Sequence, residues 1–381
     1  MRIAFVTETW YPSTDGVVTR LTATVRELAR MGHEILILAP RPAPPTFEGI
    51  PVRSVPTAGL WFIAGGRPWG LPVPQVLHDL GEFHPDVVHV VNPFVVGIAG
   101  VVYARRYGVP LVASYHTNVA AYAAYYHMGF AQGAIWALLR ALHNRADVNL
   151  VTSDTIRRDV ESHGIERVQV WQRGVDTRFF HPSKRSPDFR KQLCAGDPAR
   201  PLVMYVGRLA PEKGLDRLGA LFDTDLPVNL AFVGDGPERP RLEDLFRNTP
   251  TRFTGMLSGE NLASAYAAAD LFGFPSTTDT LGLVVLEAMA SGVPILAADA
   301  GPSHEMLDRC GAGFFFDPAR PVTMAEALLP ILKREDPVAE LGSLGRRARE
   351  EAERHSWTES TRQVLGIYEH VRLGRRGQVP A

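Results

Sequence analysis

The feature that most constrains this chain is the alternation of short apolar runs with segments of helical periodicity. Residues 2–7 and 34–39 are apolar runs, and residues 16–31 between them place apolar side chains at helical spacing. A strand, helix, strand unit of this kind pairs its two strands in parallel. Apolar runs at 86–92 and 110–116 continue the series. Their near-continuous apolar character predicts a parallel sheet that is covered on both faces.

The alternation occurs twice along the chain. A segment rich in Pro, Ser and charged residues at 173–188 interrupts it, and a second series of apolar runs starts at residue 201. A chain of 381 residues is also too long for one ordinary α/β core. We therefore predict an α/β protein with two Rossmann-like domains, residues 1–175 and 176–356. An amphipathic helix over 357–373 is expected to pack back on the first domain.

Composition excludes several classes of protein. The formal net charge is -1, so no global basic surface indicates nucleic-acid binding. The chain has no apolar run of about 18 residues, and the pattern of residues 1–12 does not predict a signal peptide. Its two cysteines, Cys194 and Cys310, do not make a disulfide framework. These features predict a cytoplasmic protein, whose contact with the inner face of the cell membrane would be peripheral.

The segment VGRLAPEKGLDRL at 206–218 places Arg208 and Lys213 in a loop that leaves a strand and enters a helix. Two cations beside a helix N-terminus, at the carboxyl end of a parallel strand, suit a diphosphate. Lys213 is also one of only four lysines among 40 basic residues. The alternative is a solvated charged turn with no ligand.

The segment TDTLGLVVLEAMASGVP at 278–294 contains Asp279 and Glu287, with Gly282 where the loop becomes a helix. Both carboxylates are able to line one site, and carboxylates bind vicinal hydroxyls of ribose or hexose. The free N–H groups at the helix start suit a phosphate. In the alternative interpretation, Asp279 caps the helix and Glu287 is an ordinary exposed helix residue.

Two positions in the first half are weaker candidates. Gly16 follows Asp15 at the entry to a helix, where backbone N–H groups are able to approach an anion. His116, in the segment SYHTN at the end of a strand, is a candidate for contact with a sugar or for proton transfer. A simple turn and a structural histidine are the alternatives.

Two apolar segments are candidate acceptor surfaces. Residues 59–74 are aromatic and almost uncharged, and residues 120–142 form an aromatic, apolar helical stretch. Exposed surfaces of this kind suit a lipid acceptor or a bilayer surface. Packing in a core or under a lid is the alternative for both.

Some cofactor motifs are absent from the sequence. There is no G-x-G-x-x-G opening a βα turn and no G-x-x-x-x-G-K-[ST]. Asp223-Thr224-Asp225 has the Asp-x-Asp form of metal-dependent sugar transferases, but it lies between a predicted helix and a predicted strand. We interpret it as a turn, and we expect no metal and no cofactor.

Taken together, these segments resemble glycosyltransferase family four, whose GT-B fold has two Rossmann-like domains with parallel sheets facing a central cleft. Asp279 stands where the family commonly has Glu, which shortens that side chain by one methylene. With YHTN and RGVD, this resembles the glycolipid-forming members, including sulfoquinovosyl-diacylglycerol synthases and GDP-mannose-dependent α-mannosyltransferases. The matching segments are the Gly16 loop, SYHTN, RGVD at 173–176, VGRLAPEKG, FTG at 253–255, ADLFGFPS at 269–276 and the segment from Asp279 through EAMASGVP.

The resemblance implies roles for the charged residues. Arg208 and Lys213 would neutralise the donor diphosphate, Glu287 would hold the ribose hydroxyls and Asp279 would lie near the hexose. His116 would lie beside the donor sugar at the catalytic centre. Backbone contacts to the donor phosphates would come from Gly16, Gly282, Leu283 and Val284, and Gly255 and Met256 would flank the base.

The expected activity is transfer of a hexose from a nucleoside diphosphate sugar to an acceptor hydroxyl with retention of the α-anomer. We favour GDP-mannose as donor and a lipid or glycolipid as acceptor. A UDP-sugar-dependent glucosyl- or sulfoquinovosyl-type transferase is the first alternative. An epimerase of the same fold and a sugar-nucleotide binding protein without turnover are the alternatives from other classes.

Overall fold

A computed structural model gives the structure of the chain in two compact units. One unit comprises Met1–Arg173 together with the chain from Trp357 onward, and the other comprises Gly174–Ser356. The structure describes residues 1–59, 68–117, 129–223, 226–280, 282–308 and 310–376.

The first unit is built on an eight-stranded sheet in the order β10-β9-β8-β7-β1-β2-β4-β3. Its pairs are parallel except β3 with β4, and β5 and β6 form a separate antiparallel pair. The chain leaves β1 toward β2 on one side, whereas β7 and β8 follow on the other side, so the strand order reverses between β1 and β7. The strands are β1 (Arg2–Thr7), β2 (Glu34–Pro40), β3 (Thr46–Phe47), β4 (Ile50–Val55), β5 (Thr57–Gly59), β6 (Pro68–Gly70), β7 (Val87–Val91), β8 (Leu111–Ser114), β9 (Val148–Val151) and β10 (Val168–Val170).

Helices connect these strands and cover the sheet. Side chains at alternate positions of β1 and β7, including Val6 and Val90, form a core against the second and third helices. The first helix begins where the Asp15 carboxylate accepts the N–H groups of Val17 and Val18 at 3.0 Å. The helices before the second unit are α1 (Gly16–Arg30), α2 (Pro74–Phe83), α3 (Gly97–Tyr107), α4 (Gln132–His143) and α5 (Asp154–Ser162).

The second unit has a six-stranded parallel sheet in the order β13-β12-β11-β14-β15-β16. Its first strand, β11, lies between β12 and β14, so the strand order reverses between β11 and β14. Open α/β sheets bind ligands outside the carboxyl ends of the strands at this reversal. The strands are β11 (Leu202–Val206), β12 (Asn229–Val233), β13 (Thr251–Gly255), β14 (Leu271–Phe274), β15 (Ile295–Ala298) and β16 (Gly313–Phe316).

Both faces of this sheet are buried. Met204 and Val206 of β11 belong to one apolar cluster, and Val203 and Tyr205 belong to another. Alternate side chains of a strand point to opposite faces, so the two clusters are the cores of the two helical layers. The helices are α6 (Pro187–Leu193), α7 (Ala220–Asp223), α8 (Arg239–Leu245), α9 (Gly259–Ala268), α10 (Leu283–Ala290), α11 (Gly301–Leu307), α12 (Thr323–Leu332) and α13 (Pro337–Ala352).

The last helix, α14 (Trp357–Arg376), belongs to the first unit and packs along α1. The Tyr368 hydroxyl lies 2.6 Å from Nδ1 of His89 in β7, and the Trp171 indole N–H donates to the carbonyl of Ser360 at 3.0 Å. No helix in the described part of the chain combines the length and the apolar composition needed to cross a bilayer.

The structure adds four strands that the apolar pattern does not predict, namely β3, β4, β5 and β6. Pro51 lies within β4, and a proline inside an apolar run argues against a strand because it cannot donate to the ladder. It is tolerated here because β4 is followed only by the two-residue strand β3 at the edge of the sheet. Of the helical stretch predicted at residues 120–142, the structure describes α4, and residues 120–128 lie outside the described ranges.

Candidate functional site

The loop after β11 holds both predicted cations in ion pairs. The guanidinium of Arg208 pairs with the carboxylate of Glu212, whose side chain is fully buried. Lys213 ends the short 3-10 turn Pro211–Lys213, and its Nζ lies 2.6 Å from Oδ1 of Asp279. Glu212 therefore fixes Arg208 from within the unit, while Asp279 and Lys213 link this loop to the loop after β14.

The loop after β11 passes close to the end of β12. Gly234 follows β12 with φ +142°, and a Cβ there would lie 2.0 Å from the carbonyl oxygen of Gly207. The N–H of Gly234 donates to the carbonyl of Gly255 at 2.8 Å. Only a residue without a side chain fits this contact, so the close approach of the two loops depends on glycine at this position.

The loop after β14 carries Asp279 and becomes α10 at Gly282. Gly282 is in the left-handed region with φ +55°, and its carbonyl accepts the N–H of Val285 at 3.0 Å. Leu283 and Val284 form the first turn of α10, where backbone N–H groups have no carbonyl of the helix to bind. This geometry suits the anion-binding role predicted for these residues.

Glu287 lies on α10, its side chain is partly buried, and its pKa is raised. The hydroxyl of Tyr266, on α9, donates to its Oε2 at 2.7 Å. Burial raises the pKa of Glu287 to about 7, and the hydrogen bond from Tyr266 opposes that shift. The carboxylate is thus a partly buried acceptor whose charge changes near neutral pH.

Tyr205, the fourth residue of β11, is buried beside these groups. Burial raises the pKa of its phenol, and the charges of Lys213, Asp279, Glu212 and Arg208 lie near enough to affect that pKa. Tyr266 in turn interacts with both Tyr205 and Glu287. The four predicted side chains Arg208, Lys213, Asp279 and Glu287 therefore lie around one region at the carboxyl ends of the adjacent strands β11 and β14. We call these four side chains the charged cluster.

Gly255 and Met256 lie farther along the same edge of the sheet. Gly255 ends β13, which is separated from β11 by β12. Met256 follows with 65% of its surface exposed, which is unusual for a large apolar side chain. An exposed apolar side chain at this edge suits packing against a flat base.

In the first unit, Gly16 is the first residue of α1. The Asp15 carboxylate accepts the next two N–H groups of this helix, those of Val17 and Val18. Ser13 also donates its hydroxyl to Asp15 at 3.1 Å. The start of α1 therefore already holds one carboxylate, and an approaching phosphate would share this end of the helix with Asp15.

His116 follows β8 and is buried. Its ring meets Trp171 edge to face at 5.7 Å between centroids, and its N–H donates to Oδ1 of Asn92 at 2.6 Å. Burial, together with the positive charge of Arg20, holds the pKa of His116 well below its usual value. The imidazole is therefore neutral at physiological pH, which makes it a hydrogen-bonding group rather than a cation.

Three residues outside the predicted set contact predicted ones, namely Glu212, Tyr266 and Asn92. The sequence indicates the contact of Glu212 with Arg208, because Glu212 lies four residues after Arg208 in the same segment. No local sequence pattern indicates the other two contacts. Tyr266 is 21 residues from Glu287, and Asn92 is 24 residues from His116.

The described residues contain no group of three or more His, Cys, Asp or Glu side chains arranged to hold a metal ion. Several predicted features lie outside the described ranges and have no structural account. These are Thr224 and Asp225 of the Asp-x-Asp segment, Asn118 of SYHTN, Leu281, and part of each candidate acceptor surface, at residues 60–67 and 120–128.

Comparison with known protein families gives two matches, one in each half of the chain. Residues 14–179 match the model of Glycosyltransferase Family 4, and residues 190–352 match that of Glycosyl transferases group 1. Among solved structures, a sucrose-phosphate synthase from Thermosynechococcus elongatus aligns over 98% of this chain and 99% of its own, with a TM-score of 0.80 and 22% identity. The likeness extends over both units and confirms the predicted GT-B fold.

Curated relatives align along nearly the whole chain. A GDP-mannose-dependent alpha-mannosyltransferase of Mycolicibacterium smegmatis is 39% identical over 99% of both chains. A sulfoquinovosyl transferase of Arabidopsis thaliana is 34% identical over 95% of this chain and 72% of its own. These likenesses confirm the resemblance found in the sequence motifs: the chain belongs to glycosyltransferase family 4 and is a glycosyltransferase.

Proposed function

We propose that the protein transfers a hexose from a nucleoside diphosphate sugar to a hydroxyl of a lipid or glycolipid, with retention of the α-anomer. GDP-mannose is the favoured donor, because the relative at 39% identity is named as dependent on it. The observation that carries the proposal is the charged cluster, which lies at the strand-order reversal of a parallel sheet.

The charged cluster provides complementary partners for each part of such a donor. Arg208 and Lys213 would bind the diphosphate, Glu287 would accept from the ribose hydroxyls and Asp279 from the hexose hydroxyls. Because Asp279 neutralises Lys213 at 2.6 Å, a bound diphosphate offers Lys213 a second anionic partner. The backbone at Gly282, Leu283 and Val284 would add N–H donors to the phosphate, while Gly255 and Met256 would flank the base. No metal or cofactor is part of this proposal.

The chemical step breaks the bond between the anomeric carbon and the leaving phosphate oxygen. Negative charge develops on that oxygen, where Arg208 and Lys213 would stabilise it. In the proposed step, the acceptor oxygen bonds to the same face of the sugar and passes its proton to the departing phosphate. His116, which is neutral, would donate or accept a hydrogen bond with the donor sugar, and Gly16 would contact the phosphate through its backbone.

The first unit has exposed apolar and basic side chains that support a lipid acceptor. Phe130 is 90% exposed just before α4, and Tyr107 at the end of α3 is 60% exposed. Arg106 and Arg140 are exposed on the same two helices. Aromatic and basic side chains together suit the surface of an anionic bilayer. We therefore propose a cytoplasmic enzyme that acts at the inner face of the cell membrane as a peripheral protein.

A second candidate donor is a UDP-sugar. The Arabidopsis relative at 34% identity is named a sulfoquinovosyl transferase, so a sulfoquinovosyl or glucosyl donor fits the same family. The charged cluster would bind features common to all these donors, namely the diphosphate, the ribose and the hexose. The region around Gly255 and Met256 would therefore select between guanine and uracil as the base of the donor.

A thermal-shift screen tests the donor. The purified protein is heated with GDP-mannose, UDP-glucose, UDP-sulfoquinovose or ADP-glucose, and a ligand that binds only the folded state at 100 times its Kd adds about 2.7 kcal/mol of stability. We expect the largest rise with GDP-mannose. A rise in melting temperature with a UDP-sugar but not with GDP-mannose would identify that UDP-sugar as the donor.

Proton NMR of the product tests the reaction. With the donor found by the screen and a lipid extract as acceptor, we expect an α-linked hexosyl lipid. A β-linked product would contradict retention of the anomer. An isomeric sugar nucleotide formed without acceptor would identify an epimerase, and donor binding without any product would indicate a binding protein.

A further inference from the structure

Asn92 lies where three neighbouring strands of the first unit end. It directly follows β7, while Glu8 directly follows β1 and His116 lies two residues beyond β8. These strands are neighbours in the order β8-β7-β1. The N–H of Asn92 donates to the carbonyl of Ser114 at 2.8 Å, so the residue is also hydrogen-bonded to the last residue of β8.

The Asn92 side chain holds the segment after β8 with both of its polar atoms. Its Oδ1 accepts the N–H of His116 at 2.6 Å, and its Nδ2 donates to the hydroxyl of Thr117 at 3.1 Å. One amide group thus fixes two consecutive residues, one of which is the proposed donor-contacting histidine. An amide is suited to this because it offers an acceptor and a donor from one planar group.

The backbone of Asn92 is itself in an uncommon conformation. Its φ is +51°, in the left-handed region that Asn adopts more readily than most side chains. The loop beyond it is anchored by Glu8, whose buried carboxylate accepts four N–H groups. These come from Phe94 at 3.0 Å, Val95 at 2.7 Å, Val96 at 3.2 Å and Gly97 at 3.0 Å. Asn92 is therefore a fixed support and not part of a free loop.

We propose that Asn92 is a positioning residue for the transfer reaction. It acts through His116 and Thr117, by holding the backbone N–H of His116 and the side-chain hydroxyl of Thr117 so that the imidazole stays oriented toward the donor sugar. The inference rests on the proposed function, because it assumes that His116 meets the donor. Small displacements of groups that orient a substrate reduce rates strongly, so the loss of this support should lower kcat.

Three variants at position 92 separate the side chain from the backbone. Asn92→Gly tolerates the positive φ but removes both hydrogen bonds, whereas Asn92→Ala removes both bonds and adds backbone strain. Asn92→Asp keeps an acceptor for the His116 N–H and a partner for the Thr117 hydroxyl. On the other side of the contact, Thr117→Val removes the hydroxyl and Thr117→Ser keeps it.

Steady-state kinetics tests the positioning role. We expect Asn92→Gly to lower kcat by roughly tenfold or more, with KM for the donor and the melting temperature close to those of the wild type. Thr117→Val should lose part of the rate, and Asn92→Asp and Thr117→Ser should recover most of it. Wild-type kcat in Asn92→Gly would overturn the inference, as would a loss of rate in proportion to a loss of melting temperature.

Hydrogen exchange of the protein alone tests the contact independently of turnover. In Asn92→Gly the amide of His116 should exchange roughly tenfold faster, while amides of β1 keep their wild-type rates. Unchanged exchange at His116 would refute the support itself. If the wild type transfers no sugar, the proposed function fails, and the exchange result then shows whether the support exists without a role in transfer.

Discussion

The surroundings of the Glu287 carboxylate determine its pKa. Its pKa rises to about 7 because burial outweighs the hydrogen bond from Tyr266. Below that pH the group is a neutral acid with a proton of its own, whereas above it both oxygens are acceptors, and Oε2 already accepts from the Tyr266 hydroxyl. A ribose with two adjacent hydroxyls needs the second form.

We predict that donor affinity rises with pH through this range. Between pH 6 and pH 8 the ionised fraction of Glu287 increases about tenfold, so the Kd of GDP-mannose should fall by about the same factor. Isothermal titration calorimetry at several pH values measures this dependence. Glu287→Gln should bind weakly with no such dependence, and Tyr266→Phe should shift the dependence to higher pH. A Kd that is flat in the wild type would contradict the ribose role.

At the scale of elements, the ends of the strands bring the site residues together. The loops after β11 and β14 are 66 residues apart at Lys213 and Asp279, yet the two side chains form an ion pair at 2.6 Å. They meet because β11 and β14 are adjacent parallel strands. The strand order, and not the local sequence, therefore determines which charges become neighbours.

We predict that Gly234→Ala destabilises the second unit. A Cβ at this position would lie 2.0 Å from the Gly207 carbonyl oxygen, and φ is +142°. The clash and the strain together should cost roughly 3 kcal/mol. Gly219→Ala is the matched control, because its Cβ would meet nothing nearer than Phe246 at 3.9 Å. Denaturant unfolding compares the two, and equal midpoints would show that the loops after β11 and β12 are free to separate.

The sequence predicts the elements better than their contacts. The apolar runs indicate each strand of the second sheet, and the Gly282 loop indicates the start of α10, because these signals are local. The contact of Glu212 with Arg208 could be predicted from the spacing of the two residues in the sequence. The sequence does not predict the roles of Tyr266 and Asn92. Neither an aromatic residue in an apolar helix nor an amide at the end of a strand indicates which distant group it contacts. Their roles follow only from the sheet order.

At the scale of the whole molecule, the described part of the first unit buries three histidines whose pKa values are lowered. Burial lowers the pKa of His89 to about 3 and that of His143 to about 4, and His116 lies well below its usual value. In the unfolded chain each would titrate near pH 6.5. Above that pH both states are neutral, whereas below it only the unfolded chain takes up protons. Acid therefore destabilises the first unit through these groups.

We predict that replacing His143 reduces this sensitivity to acid. Between pH 7.5 and pH 5.5 the wild type should lose about 1.4 kcal/mol more stability than His143→Asn, since one buried histidine no longer resists protonation. His78→Asn, at an exposed position with 64% of the side chain accessible, is the control and should keep the wild-type dependence. Denaturant unfolding at the two pH values measures the difference. The same loss in all three proteins would show that His143 does not carry this part of the pH dependence.

We propose that the charged cluster in the second unit stabilises the leaving diphosphate of a sugar donor. The most direct test is kcat at saturating GDP-mannose for Lys213→Ala, beside Lys191→Ala, whose lysine is 68% exposed on α6. We predict that Lys213→Ala loses roughly a hundredfold or more in kcat while Lys191→Ala keeps the wild-type rate. Equal turnover in the two variants would contradict the claim.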